Sequence, residues 1–369
     1  MKQKLRNRTI WQIIASAGDT SAAQEYACEL SRTQSYEVTV IVWLKSPPAY
    51  SDERDVAFIY LNAKHSLDPL AFYRFYRLLA RKIPDVLHVH HTCSAFLAAF
   101  LGNLKGVENI YKTEHTNHGR LQVHQHLLNA GTFALCKGIV CNSHTTYDSM
   151  RSWESPFKHK AKVIYNGVVM SRLNENRSHS SIWRKKYNIG NKRMIAVVAR
   201  WVPVKNLLTP LRALAKLKNE LNDFHFILAG EGEERTRIER CIHEQNLSDY
   251  VSLPGLVNRS EAYQIMHEAD IFVVSSWWEG FCNAAVEAMV ARCMLVCSDI
   301  ETLHEVVGPD AFYASTGSVD DFADRLRKCL LMPDETLEKY KTVLHERAVL
   351  RYDMTFMQNR HLEEYEDYR

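Results

Sequence analysis

Short runs of β-branched and aromatic residues, many of them followed by an amphipathic stretch of helical period, recur along this chain and limit its folds most severely. "TIWQIIASA", "YEVTVIVWL", "VAFIYL", "DVLHVHH", "ENIYKTEH", "GIVCNS" and "KVIYNG" read as strands of the first half. Helical segments such as "AAQEYACELSR" and "LAFYRFYRLLARK" lie between several of them. After the polar stretch "YNGVVMSRLNENRSHSS" the pattern restarts with "RMIAVVAR", "FHFILAG", "VSLPG", "IFVVSS" and "MLVCSD". Strands that are apolar throughout, separated by helices, belong to parallel sheets covered on both faces. The pattern predicts an α/β chain of two doubly wound domains joined near residues 171–180. The last segment, "TFMQNRHLEEYEDYR", is an amphipathic helix with no strand of its own to follow.

The 369 residues, 46% of them hydrophobic, suffice for two separate cores. No stretch approaches 18 uninterrupted apolar residues, which argues against a transmembrane helix. The opening "MKQKLRNRTIWQIIASAG" has a basic lead and a short apolar run without a small-residue cleavage site, so it reads as a first strand rather than a signal peptide. Nine scattered cysteines without a CxxC suit reduced thiols in the cytoplasm. Residues 1–170 carry 20 Lys+Arg against 13 Asp+Glu, and residues 171–369 carry 26 against 30. A basic half joined to a mildly acidic half suggests a face that meets something anionic.

In doubly wound sheets ligands bind beyond the carboxyl ends of the strands, and two such domains facing each other create a cleft. The residues able to bind an anionic ligand fall at those ends. Arg200 closes "IAVVAR" and Lys205 follows five residues later; "LAGEGEE" ends in Gly230 and Gly232. In "SSWWEGFCNAAVEAM", Glu279 sits at the mouth of a strand–helix turn, Gly280 lets the chain turn, Asn283 is a candidate N-cap, and Glu287 lies one turn inside the helix. Two cations and helix amides can hold a diphosphate while carboxylates accept hydrogen bonds from sugar hydroxyls. No DxD-like pair stands beside a strand end, so no metal is expected there. Four histidines, His115, His118, His124 and His126, cluster in "TEHTNHGRLQVHQH", without cysteines or a matched carboxylate to complete a zinc site.

Residues 195–307 resemble the donor-binding domain of family 4 glycosyltransferases, retaining enzymes of the GT-B fold. "ARWVPVKN" resembles the family's Gly-Arg…Lys-Gly, "LAGEGEE" its Gly-x-Gly turn, "EGFCNAAVEAM" its Glu-x7-Glu, and "SDIETLHEVVG" its segment ending in Glu-Val-Val. "DVLHVHH", "YKTEHT", "VCNS" and "VIYNGV" extend the resemblance, more weakly, into the first half. It implies an acceptor-binding domain of residues 1–172, a donor-binding domain of residues 173–353, and a closing helix, 354–369, that crosses back to the first. Arg200 and Lys205 would grip the donor diphosphate, Glu287 the ribose and Glu279 the donor sugar. Backbone N–H groups from Gly280 through Phe281, Cys282 and Asn283 would face the sugar or diphosphate, and the base would lie by Leu256 and Val257. His115 would reach the transferred sugar, and Gly18 stands in the place of the glycine-rich first loop. No cofactor is implied beyond the nucleotide-sugar substrate, and no nucleic acid.

Departures from the family pattern cluster in loops. Ala199 replaces the glycine before Arg200, Asn206 the glycine after Lys205, and Cys282 the glycine of Glu-Gly-Phe-Gly; Arg292 and Met294 stand where glycine and proline are usual. The implied acceptor is a growing cell-envelope glycan or a lipid-linked oligosaccharide. In "LAFYRFYRLLARKIP", Arg74, Arg77 and Arg81 share one stripe and Phe72, Phe75, Tyr76 and Leu79 lie near another. Such a helix could rest on the inner face of an anionic cytoplasmic membrane, or it could be a crossover helix burying its apolar side. The rival readings are a nucleotide-sugar 2-epimerase of the same fold and a non-catalytic binding subunit.

Overall fold

A computed structural model of the chain describes residues 8–17, 22–32, 36–46, 56–151, 153–175 and 181–366. It separates into two compact units, one of residues 1–167 with 354–369 and the other of residues 168–353. The division falls at Gly167/Val168, five residues before the 172/173 boundary that the resemblance implies and just ahead of the join read near residues 171–180. Residues 170–175, within the polar stretch, form a short helix of the second unit.

The first unit contains β1 (Arg8–Ile14), β2 (Tyr36–Leu44), β3 (Ala57–Ala63), β4 (Val86–His90), β5 (Ile110–Glu114), β6 (Gly138–Cys141) and β7 (Ala161–Val163). They form one sheet in the order β3-β2-β1-β4-β5-β6-β7, every neighbouring pair parallel. The second unit contains β8 (Arg193–Val198), β9 (Phe224–Ala229), β10 (Val251–Gly255), β11 (Ile271–Val274), β12 (Met294–Ser298) and β13 (Phe312–Ala314), in the parallel order β10-β9-β8-β11-β12-β13. The reading of five strands in this half is corrected by β13. Its three residues, "FYA", are too few to show a period and pair along the edge with Val296–Ser298. Both sheets are doubly wound. In each the winding reverses, between β1 and β4 and between β8 and β11, where successive connections leave to opposite faces and open a crevice.

Local chemistry explains the helices. Helix Pro69–Arg81 starts at Asp68, whose side chain accepts the Leu70 N–H at 2.9 Å, with proline at the first position. Ala71, Phe75 and Leu79, spaced by four, point into a core where Trp11 and Trp43 pack on Phe75 at 6.3 and 5.9 Å. Arg74, Arg77 and Arg81 are exposed, and so are Leu70, Tyr73 and Tyr76. The apolar stripe read from sequence therefore divides: Phe75 and Leu79 enter the core, whereas Tyr76 lies outside it beneath the Lys105 ammonium, 3.8 Å from its ring.

The closing helix, Met354–Glu366, buries Met357, His361 and Tyr365 within the first unit. The Tyr365 hydroxyl meets His88 Nδ1 at 2.5 Å, and Tyr111 donates to the Glu364 carbonyl at 2.7 Å. His88 and His90, both buried in β4, stack in parallel at 4.6 Å, and His361 lies 5.3 Å from His88 with neither ring nitrogen hydrogen-bonded. Burial holds His88 and His90 well below the usual histidine pKa, with neighbouring imidazoles adding to it, and burial alone takes His361 to about 3. These rings are neutral in the fold. The unfolded chain binds their protons below about pH 6.5, so the stability they contribute is present above that pH and is lost as pH falls toward the folded values.

Replacing one such ring by a non-titrating one isolates the effect. His361→Phe is expected to flatten the acid loss of stability by about 1.4 kcal/mol per pH unit below pH ~6. Urea unfolding of both chains at neutral and mildly acid pH measures it. Identical acid slopes would show that the His361 ring takes up its proton in the folded state.

Candidate functional site

The loops after β8 and β11, at the switch point of the second unit, carry Arg200, Lys205 and Glu279. The chain leaves β8 into a loop tied to the end of β9: the Ala199 N–H donates to the Ala229 carbonyl at 3.1 Å, and the Trp201 N–H to the Glu231 carbonyl at 2.8 Å. The Glu234 N–H returns a bond to the Trp201 carbonyl at 3.0 Å, and the Trp201 side chain is fully buried. Gly230 and Gly232 make this crossing possible. At φ +138° and +157° they adopt conformations that disfavour side chains, and a Cβ on either would overlap the backbone of Ala199 or Trp201.

The loop then delivers Lys205 to the end of β11. The Trp277 N–H donates to the Val204 carbonyl at 2.8 Å, and the Ser275 hydroxyl to the Lys205 carbonyl at 2.9 Å. Lys205 Nζ lies 2.5 Å from Glu279 Oε1, and the Ser276 hydroxyl donates to the same oxygen at 2.6 Å. Burial opposes the charge on Lys205, but the Glu279 carboxylate outweighs it and raises the lysine pKa above its ordinary value. A cavity of about 20 Å³, room for a single water, lies between these groups and the apolar ends of β8 and β11. Arg200, on the same loop, is exposed and makes no ion pair among the described residues.

Glu287 lies half-buried on helix Asn283–Val290, 3.5 Å from the Tyr263 hydroxyl. Asn283 is the first helical residue rather than the N-cap. The cap is Cys282, held at φ 77° and ψ 70° with no side-chain bond to the helix. The turn from Glu279 demands a left-handed residue one place earlier than cap preference indicates. Gly280 and Phe281 are buried, with Phe281 edge-on to Tyr352 at 5.4 Å. After Gly255, Leu256 is exposed and Val257 half-buried.

His115 lies in the first unit, just beyond β5. Its Nε2 is 2.9 Å from His90 Nδ1, and His90 Nε2 is 2.8 Å from Gln12 Oε1 at the β1/β4 switch. Burial, then the charges of neighbouring groups, lower its pKa to about 3. Gly18 lies outside the described residues. The sequence alone does not single out Ser275, Ser276, Gln12 or His90 as site residues. The paired serines at the end of "IFVVSS" are a readable signal, whereas Gln12 and His90 look like ordinary strand residues until the sheet is assembled.

Three departures from glycine share a backbone property. Asn206, Cys282 and Arg292 have φ of 49°, 77° and 64°. Asparagine tolerates this region, and Asn206 Oδ1 accepts from the Thr209 hydroxyl at 2.9 Å. Cysteine and arginine there store about 1–3 kcal/mol each.

Residues 180–343 match the family model for glycosyl transferases group 1, and residues 20–172 match that for glycosyltransferase family 4. The chain is 27% identical over 275 residues to one component of the human phosphatidylinositol N-acetylglucosaminyltransferase, covering 72% of this chain and 53% of that one. It is 27% identical over 192 residues to a Campylobacter jejuni 4-α-N-acetylgalactosaminyltransferase named for a diphospho-undecaprenol substrate, covering 51% and 49%. The chain thus spans about half the length of these relatives. Among solved structures, Anabaena HepE in complex with UDP and glucose superposes with a TM-score of 0.82 at 16% identity, over 98% of this chain and 100% of that one.

Relief of strain at the helix start is measurable. Cys282→Gly is expected to raise stability by about 1 kcal/mol, the strain removed less the added freedom of glycine in the unfolded chain. Thermal unfolding reads the change as a higher midpoint; a lower one would mean that packing of the thiol outweighs the strain.

Proposed function

We propose that this chain, which belongs to the family 4 glycosyltransferases and has their GT-B fold, moves a hexosyl group from a nucleotide sugar, a UDP-sugar by preference, to a glycan or lipid-linked acceptor with retention at the anomeric carbon. The observation that carries the reading is the state of Glu279. Its Oε1 is anchored by both Lys205 and Ser276, while Oε2 makes no hydrogen bond among the described residues and is open to a sugar hydroxyl. Arg200, exposed and unpaired on the same loop, supplies a cation for the diphosphate, and the amides at the start of helix Asn283–Val290 add partial positive charge.

In the proposed reaction the bond from the anomeric carbon to the diphosphate oxygen breaks and a bond to the acceptor oxygen forms on the same face. The acceptor proton passes to the departing diphosphate, whose growing charge Arg200, Lys205 and the helix amides stabilise. Glu287 holds the ribose, Leu256 and Val257 flank the base, and the turn made by Gly230 and Gly232 keeps the loop close to the diphosphate. His115, neutral at physiological pH, serves the transferred sugar as a hydrogen-bonding group rather than a cation. These groups make a divalent ion dispensable for the transfer.

The lipid-linked acceptor is supported by the names of the relatives from human and Campylobacter. Exposed Leu67, Leu70, Tyr73 and Ile83, set among Arg74, Arg77 and Arg81, fit peripheral contact with an anionic cytoplasmic membrane surface. No helix among the described residues is long and apolar enough to cross a membrane.

A panel of nucleotide sugars screened by thermal stabilisation, followed by transfer to a diphospho-undecaprenol-linked glycan, tests the proposal. Nucleoside diphosphate release should require acceptor and proceed without added Mg²⁺ or Mn²⁺. Inversion at the sugar C2 with no acceptor would indicate an epimerase instead. Arg200→Ala and Lys205→Ala should each lower kcat about 100- to 1000-fold, and normal turnover in both would remove them from the mechanism.

The two glutamates should fail differently. Glu287→Ala is expected to weaken free UDP and the intact donor alike, about ten- to a hundredfold, because both carry the ribose. Glu279→Ala should leave UDP binding near normal and weaken only the sugar-dependent part. Calorimetric titration of each variant with both ligands separates the roles, and equal losses everywhere would abolish the distinction.

A further inference from the structure

We propose that His118, His126 and Glu154 form a zinc site in the first unit that braces the segment carrying His115. Among the four histidines of that stretch, His115 is engaged by His90 and His124 is exposed, which leaves two. The carboxylate missing from the local sequence arrives from 28 residues beyond His126. Glu154, fully buried, places Oε2 2.8 Å from His118 Nδ1 and Oε1 3.1 Å from His126 Nδ1. One donor atom from each of the three residues lies within 4.8 Å of the others. Zinc bonds of about 2.1 Å in a tetrahedron set donors roughly 3.4 Å apart, so the bonded nitrogen–oxygen contacts open by a few tenths of an ångström and the widest separation, up to 4.8 Å, closes by about 1.4 Å as the ion binds.

The surroundings supply further parts of a metal site. A ligating imidazole usually donates its second N–H to a carboxylate. His118 Nε2 is buried without a hydrogen bond, and the nearest acid, Glu114 Oε2, is 3.8 Å away; Glu114 is itself held by Lys112 at 2.5 Å. Glu154 Oε2 also accepts the Arg151 N–H at 2.9 Å, which fixes the carboxylate. His126 is 12% exposed and lines an open pocket of about 350 Å³ with Leu121, Val123, Arg151 and Trp153, which provides an entry path and room for a water as fourth ligand. Two imidazoles and one carboxylate without a thiol are a donor set that suits zinc. Binding releases whatever protons the two Nδ1 atoms hold and leaves one on His118 Nε2.

His115 lies between Glu114, behind the site, and His118, within it. An ion here fixes the stretch that presents His115. That consequence rests on the proposed transfer reaction; the metal site itself does not.

The test uses the full chain, stripped with a chelator, dialysed and titrated with Co²⁺ and Zn²⁺ in the absence of any nucleotide sugar. One equivalent of Co²⁺ is expected to bind with the visible absorption of a four-coordinate ion, to be displaced by Zn²⁺, and to raise the unfolding midpoint. His126→Ala, at a side chain near the surface, should weaken Co²⁺ binding by at least about tenfold while leaving the stability of the metal-free chain near normal; Glu154→Gln should also lose the site. Wild-type chain that gives no Co²⁺ spectrum, or His126→Ala that binds Co²⁺ as tightly as wild type, would overturn the proposal and leave the three residues as a hydrogen-bonded ion cluster. Because no donor is present, failure here is distinct from failure of the transfer reaction.

Discussion

The contact between Lys205 and Glu279 organises the second unit around its switch point. Each charge is largely removed from water, so each depends on the other: taking away one partner leaves the remaining charge desolvated and without its ion-pair partner. The pair also joins elements that share few other side-chain bonds. Lys205 comes from the loop after β8, Glu279 from the turn after β11, and Thr302, from helix Glu301–Val307, donates to the Glu279 carbonyl at 3.1 Å. The loop carrying Lys205 is in turn laced to β9 through Trp201. The ion pair thus ties the loop after β8 to the turn after β11, beyond the strand ends that the sheet already sets in register.

The first unit solves the matching problem without charge. At its own switch point Gln12 bonds His90 and His90 bonds His115, a chain of neutral groups in which each hydrogen bond fixes the tautomer of the next. Burial keeps the histidines uncharged, so the chain presents dipoles rather than cations at this sheet end. Of the two sheet ends, one carries a charged pair and the other a chain of neutral imidazoles.

Features set by short-range chemistry were legible before the fold. Seven strands of one sheet and five of the other were readable because buried parallel strands are apolar along their whole length. The Pro69–Arg81 helix was readable because its core residues repeat every four. The charged residues at strand ends could be grouped because Arg200, Lys205, Glu279 and Glu287 stand at fixed offsets from apolar runs. Features set by long-range pairing were not legible. β13 takes its identity from β12, not from its own three residues. Asn283 has the chemistry of an N-cap, but the backbone path from Glu279 requires the left-handed residue at 282. Glu154 looks like any surface glutamate in "RSWESPFK", and only the fold carries it to His118 and His126.

The closing helix makes the first unit discontinuous in the chain. Tyr365 meets His88 across 277 positions, and Tyr111 reaches Glu364 across 253. The second unit, by contrast, is one unbroken segment from Val168 to Asp353. During synthesis the second unit can therefore complete its core while the first still lacks the helix that covers His88 and Tyr111. The sheet that emerges from the ribosome first is the last to be finished. Its half-formed surface, with polar histidines where a continuous apolar face would otherwise stand, is one that can wait in water for its final element.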